Sequence, residues 1–254
     1  MTFHVVIPAR FSASRLPGKP LLDIAGKPMI QHVYERAIET GATSVTVATD
    51  DQRIVDVVAS FGGECCMTST EHTSGTDRLS EVIEKKALAD DEIVVNLQGD
   101  EPLIPPSLIR QVAQGLADHP QASVSTLCER ITTAGELFDP HLVKVVRDIN
   151  NYAIYFSRAV IPWDRDAFSS TTEMLPEGSE HYRHIGLYGY RCGFLRRYVT
   201  WPISGLEQME SLEQLRVLWN GEKIYVEEAH EHPGHGVDTP RDLAAVRAII
   251  LQQQ

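Results

Sequence analysis

The 254-residue sequence predicts an α/β fold in which a mostly parallel sheet is flanked by helices. Two observations carry this. Within the first hundred residues, four short apolar runs (5–7, 44–49, 64–67 and 92–97) alternate with segments of helical periodicity. Beyond residue 121 the pattern changes, and runs at 143–146, 153–157 and 184–191 follow one another without long helices between them. The first pattern describes a Rossmann-like sheet, and the second predicts a smaller mixed or antiparallel subdomain inserted in it or laid across it. No Gly- or Ser-rich linker divides the chain, so 1–254 is expected to fold as a single domain.

The elements follow in order. Val5-Val6-Ile7 is short enough for a buried strand and empties into a loop holding three cations, Arg10, Arg15 and Lys19. Pro8, Pro17, Gly18 and Pro20 exclude a helix through that loop. Apolar periodicity resumes at Met29, Val33 and Ala37, predicting a helix. Residues 44–49 (SVTVAT) form a second strand, after which Asp50 and Asp51 open a helix carrying Ile54, Val57, Val58 and Phe61. A third strand is expected at 64–67. Ser74-Gly75-Thr76 reads as a turn before a helix with Leu79, Val82, Ile83 and Ala87 inside. The strand at 92–97 (EIVVNL) ends in Gln98-Gly99-Asp100-Glu101-Pro102. A helix runs from Pro106 to about Asp118, and 122–127 is a further strand. Residues 166–183 are polar and expected to form a mobile loop. Ser204, with Glu207 at the reciprocal capping position, starts one helix with Leu206, Met209, Leu212, Leu215 and Trp219 on its apolar stripe. A strand at 224–226 returns to the sheet, and Gly236-Val237-Asp238-Thr239-Pro240 leads into a terminal helix.

Charge narrows the ligand class. The chain carries a net −12, yet residues 1–36 hold five basic and two acidic residues, a local +3. A cationic loop on an acidic protein points to a small anionic ligand, because the rest of the surface repels a polyanion such as DNA. The amino terminus lacks the basic n-region and cleavage site of a signal peptide, and no apolar run is long enough to cross a bilayer. The four cysteines form no C-x-x-C pair and read as reduced thiols. A cytoplasmic location is expected, with neither membrane nor nucleic acid as partner.

Asp100 lies just past a strand end. Asp238 precedes a helix whose start is already accounted for by Thr239 as N-cap, Pro240 at the first position and Asp242 three beyond the cap. Two carboxylates at strand ends suit Mg²⁺, which takes one or two carboxylates plus phosphate oxygens. Arg78, in a first helical turn, opposes the helix dipole by up to ~1 kcal/mol. Its counter-charge is either a bound phosphate or a carboxylate such as Glu81. Ser74 and Gly75 let backbone N–H groups approach a base or phosphate. Arg158 and Arg165 flank Trp163 and either clamp a carboxylate or pair with Asp164 and Asp166. Glu213 and Gln214 either hydrogen-bond sugar hydroxyls or form a solvated helix face. His230, His232 and His235 lack the spacing of a structural zinc site. No nucleophile elbow is present.

Eight motifs in order carry a resemblance: IPARFSASRLPGKPL from residue 7, ATD at 48–50, SGTDRLSEV at 74–82, NLQGDEPLIP at 96–105, YFSRAVIPWDRD at 155–166, RHIGLYGYR at 183–191, LEQLRVL at 212–218 and GVDTP at 236–240. Together they resemble the sugar nucleotidyltransferases, and among these the family of 3-deoxy-manno-octulosonate (Kdo) cytidylyltransferases. Asp77 stands where Glu is usual, and His235 where a small residue is usual. The resemblance implies transfer of CMP from CTP to Kdo for lipopolysaccharide synthesis, with Mg²⁺ as cofactor and a homodimer joined through 150–200. It implies that Arg10 and Lys19, helped by Arg15, hold the phosphates, and that Asp100 and Asp238 hold Mg²⁺. Ala9, Ser74, Gly75, Arg78 and Gln98 would frame the nucleotide, while Arg158, Arg165, His184, Tyr188, Glu213 and Gln214, with Gln98, would receive the sugar acid. The nucleotide-binding part would comprise 1–120 and 204–254, and the sugar-binding and dimerisation part 121–203. A cytidylyltransferase for sialic acid or another 2-keto sugar acid, and a catalytically silent nucleotide-binding protein, are the competing readings.

Overall fold

A computed structural model of the protein describes residues 1–12, 16–72 and 74–252. The chain enters through β1 (Phe3–Pro8), whose residues 3–7 are all buried, and reaches a small hairpin, β2 (Asp23–Ile24) and β3 (Lys27–Pro28), then α1 (Met29–Ile38). Next come β4 (Ser44–Thr49), α2 (Gln52–Ser60), β5 (Glu64–Met67), α3 (Gly75–Lys85) and β6 (Ile93–Asn96). The second half adds α4 (Pro106–Asp118), β7 (Val124–Arg130), α5 (Ala134–Phe138), β8 (Lys144–Arg147), β9 (Ala153–Ser157) and β10 (Tyr182–Arg191). It closes with α6 (Cys192–Tyr198), α7 (Gly205–Glu210), α8 (Gln214–Trp219), β11 (Ile224–Glu228) and α9 (Pro240–Gln252).

The main sheet runs β11-β7-β10-β6-β1-β4-β5. All neighbours are parallel except β10, which lies antiparallel between β6 and β7. β8 pairs with the start of β10, and β9 with β8, extending an antiparallel arm from the sheet. β1, β4 and β5 progress outward in one direction, after which the chain returns to the other side of β1 to lay down β6. That reversal opens a crevice at the carboxyl ends of β1 and β6, where ligands of open α/β sheets collect.

Parallel strands covered on both faces must be apolar throughout, and the two faces bury separate cores. α1, α2 and α4 pack Ile30, Val33, Ile54, Val58, Leu108 and Val112 on one side. α3, α6 and α8 pack Leu79, Val82, Phe194, Leu195, Leu215 and Val217 on the other. A third cluster joins α9 to the β2–β3 hairpin through Ile24, Met29, Val237, Leu243 and Val246. Burial of Val237 there brings its neighbour Asp238 against residue 19.

Several expectations need correction, and the simplest is Ala87, expected inside α3, which lies beyond its end with φ 52° and is exposed. The single helix predicted from Ser204 is two helices, α7 and α8, broken at Ser211 with φ 54°. Met209 and Trp219, assigned to its apolar stripe, are instead exposed. A helical period read across a left-handed residue loses phase, because that residue redirects the axis. Glu207 and Arg216 then tie the two pieces through a buried bidentate pair at 2.5 and 2.7 Å. Ser74-Gly75-Thr76, predicted as a turn, is the start of α3. Ser74 is the N-cap, exchanging hydrogen bonds with Asp77 in a capping box. Of the polar segment 166–183, Tyr182 and Arg183 already belong to β10, and the irregular remainder is not wholly solvated, for Phe168 is buried with Ile131 and Leu137, and His181 is buried as well.

His184 sits on β10 with Nε2 3.0 Å from Thr126 Oγ1, its ring edge-on to Phe156 and tilted against Tyr188. Burial pushes its imidazole down to about 3, so it is neutral when folded. The unfolded ring protonates near pH 6.5. Between about pH 6.5 and 3 the unfolded chain therefore binds more protons, and stability is lost as the pH is lowered through that window. His184→Gln removes this contribution, so in urea titrations its stability relative to the unaltered protein should improve steadily from pH 7 to pH 4. A separate urea titration should show Glu207→Ala losing ~3–5 kcal/mol, the cost of leaving Arg216 buried without its partner.

Candidate active site

The crevice assembles from two strand exits. β1 runs out into Pro8-Ala9-Arg10 and β6 into Leu97-Gln98-Gly99-Asp100. Gly99 allows the two exits to touch, since a Cβ there would lie 2.9 Å from the Pro8 carbonyl oxygen. A cavity of about 260 Å³ results, bordered by Ala9, Arg10, Lys19, Gly75, Gln98 and Asp100. Arg10 Nη2 donates to the carbonyls of His72 (2.7 Å) and Ser74 (3.2 Å). Among the described residues no carboxylate pairs with Arg10, so its charge remains available to an anion.

Lys19 leaves a short 3₁₀ turn (Lys19–Leu21) and points its ammonium into an acidic corner. Nζ lies 2.6 Å from Asp100 Oδ2, 2.8 Å from the Val237 carbonyl oxygen and 3.4 Å from Asp238 Oδ1. The Val237 N–H donates to the Asp100 carbonyl at 2.8 Å, so backbone as well as charge joins the two turns. Thr239 and Asp242 form the capping contacts expected at the start of α9, at 2.8 and 3.2 Å. Next to this corner, burial first, and then Asp100 and Asp238, push the Glu101 carboxyl up to about 8, leaving it protonated at neutral pH. Sequence reasoning did not single out Glu101. Its signal was position, directly after Asp100 in a turn closed by proline.

A second cavity, of about 270 Å³, adjoins the first across Gly75 and Gln98 and is bordered by Thr76, Asn96, Tyr188, Tyr190, Glu213 and Gln214. β10 supplies the tyrosines, and the break at Ser211 turns Glu213 and Gln214 inward. Thr76 Oγ1 donates to Glu213 Oε2 at 3.0 Å. Burial raises the Glu213 carboxyl above the usual carboxylate range. It also raises the Tyr188 and Tyr190 phenols, which are neutral donors. Gln98 and His184 border a third, smaller cavity of about 190 Å³ with Glu101. Gln98 is common to all three.

Ala9, Arg10, Lys19, Gly75, Gln98, Asp100, Asp238, His184, Tyr188, Glu213 and Gln214 are thus brought to one crevice or its walls. Arg15 lies outside the described residues. Ser74 contributes its carbonyl to Arg10 rather than a side chain. Arg78 is fully buried, with Nη2 2.7 Å from Asp50 Oδ2 and Nη1 bonded to Thr68 Oγ1, and borders none of the three cavities. Its counter-charge is Asp50, 28 residues upstream, rather than Glu81 or a phosphate. Arg158 is held by the Glu210 carbonyl at 2.7 Å and the Pro140 carbonyl at 3.1 Å. Arg165 stands in solvent, 3.9 Å from Asp166. Within the chain the two guanidinia border no common cavity.

Among the described residues no three His, Cys, Asp or Glu converge on one point, and His230, His232 and His235 form no such group. Asp100 and Asp238 do converge on a single cation, the Lys19 ammonium. Their hard oxygen donors, with the Val237 carbonyl, fit a divalent ion that completes its shell with phosphate and water.

Comparison with known proteins agrees with this construction. A family model described as cytidylyltransferase matches residues 4–224. The 3-deoxy-manno-octulosonate cytidylyltransferase of Vibrio vulnificus (strain YJ016) is 62% identical over 250 residues, covering 98% of both chains. That of Idiomarina loihiensis is 59% identical over 249 residues, again with 98% of each chain covered. A solved structure of CMP:2-keto-3-deoxy-manno-octonic acid synthetase complexed with CTP superposes with a TM-score of 0.91 at 48% identity, covering 100% of both chains. A crevice lined by Arg10, Lys19, Asp100 and Asp238, on a chain related to these proteins along its whole length, places it in the 3-deoxy-manno-octulosonate cytidylyltransferase family.

Proposed function

We infer that the protein transfers CMP from CTP to the anomeric hydroxyl of Kdo, releasing pyrophosphate and supplying the activated sugar for lipopolysaccharide. The observation that carries this reading is the adjacency of two cavities sharing Gln98 and Gly75. One is flanked by Arg10, Lys19 and Asp100, the other by hydrogen-bonding groups with no cation among the described residues. The first suits a triphosphate and the second a polyhydroxylated acceptor.

In this reading the anomeric oxygen attacks the α-phosphorus in line. A new O–P bond forms, the bond from the α-phosphorus to the bridging oxygen breaks, pyrophosphate leaves with that electron pair, and the hydroxyl proton passes to solvent. Arg10 and Lys19 bind the phosphates, with Ala9, Gly75 and Gln98 framing the cytidine. Tyr188, Glu213 and Gln214 orient the sugar acid, with His184 supporting Tyr188 from behind. Asp100 and Asp238 would hold Mg²⁺, which when bound would screen phosphate charge and stabilise the charge that develops during transfer. Arg78 supports the fold through Asp50. In this reading 1–120 and 204–254 form the nucleotide-binding part and 121–203 the sugar-binding part, with Glu213 and Gln214 reaching the acceptor cavity from the former.

A reducing, cytoplasmic setting fits the four free cysteines among the described residues. No helix is long and apolar enough to cross a membrane among those residues. A homodimer remains part of the proposal, supported by the exposed Ile154 on β9 within the segment expected to make the contact.

The test is pyrophosphate release from CTP and Mg²⁺ across a panel of sugar acids. Kdo should be turned over far better than sialic acid. Asp100→Ala and Asp238→Ala should each lose roughly 100-fold or more in kcat, because charge stabilisation by such an ion is worth several kcal/mol. Chelation with EDTA should abolish turnover and added Mg²⁺ restore it. Near-normal rates in both variants would overturn the metal assignment.

A further inference from the structure

Asn96 ends β6 and departs from that strand's pattern. Ile93, Val94 and Val95 are apolar and buried, as the interior of a doubly covered sheet requires. Asn96 is equally buried, at 3% exposure, yet carries an amide. In register with β10 it lies directly opposite Tyr188, so the two side chains stand on one face of the sheet. Both border the second cavity, beside Thr76, Glu213 and Gln214. Asn96 Oδ1 has no hydrogen-bond partner among the described residues. A buried polar atom left unpaired is destabilising, and such atoms in native proteins call for an explanation. Leucine has the same branching and the same number of heavy atoms, and would fill this position without that cost.

The chemistry of the cavity identifies the missing partner. Among the described residues no lysine or arginine borders it, and burial raises the carboxyl of its acid, Glu213. A carboxylate entering there would meet no cation among the described residues. A hydroxyl matches the amide, donating to its oxygen while accepting from its nitrogen. We propose that Asn96 is a specificity-determining residue of the acceptor cavity, its side-chain amide taking one hydroxyl of the sugar acid. This rests on the reading that the sugar acid occupies that cavity. It adds a requirement: the polyol end enters toward β6 and the sugar's own carboxylate points away from it. A site built to hydrogen-bond a hydroxyl discriminates strongly against an analogue lacking it.

Asn96→Leu separates this role from a merely structural one. The KM for Kdo should rise about tenfold or more, the KM for CTP should stay within about twofold, and the thermal midpoint should equal or exceed that of the unaltered protein. Among Kdo analogues each lacking one hydroxyl, one should be used by variant and unaltered protein with equal kcat/KM. If the leucine variant does not fold, Asn96→Ser, too short to reach, should show the same rise for Kdo alone. A Kdo KM within twofold of the unaltered protein, in whichever variant folds, would overturn the proposal even though the enzyme works. No turnover of Kdo by the unaltered protein would instead sink the activity, and this inference with it.

Discussion

Two carboxylates, Asp100 and Asp238, share one ammonium at the switch point of the sheet, with the Glu101 carboxyl beside them, and the site depends on what keeps these charges together. At an effective dielectric of about 20, two unit charges ~4 Å apart repel by ~4 kcal/mol. Lys19 answers that repulsion between Asp100 and Asp238 by placing its ammonium against both. Glu101 answers it differently, remaining protonated because burial and its charged neighbours push its carboxyl up to about 8. The hydrogen bond from the Val237 N–H to the Asp100 carbonyl then fixes the separation through the backbone. The same arrangement suits the proposed reaction, in which a triphosphate and a sugar carboxylate must approach despite like charge. The crevice is a place where charge of both signs is already matched.

That corner exists because of events far from it in sequence. Asp238 reaches Lys19 only because Val237 is buried with Ile24 and Met29, which draws the start of α9 onto the β2–β3 hairpin. Asp100 reaches it because β6 is laid beside β1 after the chain has already built β4 and β5 on the other side. A glycine at 99 lets the two strand exits approach at backbone distance. Packing of apolar side chains thus determines where the charges stand.

The acceptor cavity has a different origin. It needs β10, the one antiparallel strand among the seven of the main sheet, to carry Tyr188 and Tyr190 beside β6. It also needs the helix after Ser204 to stop at Ser211 so that Glu213 and Gln214 turn inward. The buried Glu207–Arg216 pair holds the two short helices across that break.

Features set by local chemistry could be read from the residues directly. Apolar run length and alternation located β1, β4, β5 and β6, though not the two-residue strands of the β2–β3 hairpin, and proline and glycine marked the loops at their ends. Arg10, Lys19 and Asp100 were legible because each follows a strand that had to be buried, and Asp238 because the cap of α9 was complete without it. Tertiary structure decided the partners. Arg78 was expected to answer either a phosphate or a carboxylate such as Glu81 and instead pairs with Asp50 and Thr68, a pairing no local rule reveals. The stripe through Met209 and Trp219 failed because one residue with φ 54° shifted the helical phase. Asn96 sat unnoticed in an apolar run, since the direction of a strand side chain matters only once the opposite wall is in place. Local propensity acts over a few residues, whereas which side chains meet depends on how buried surfaces are packed together.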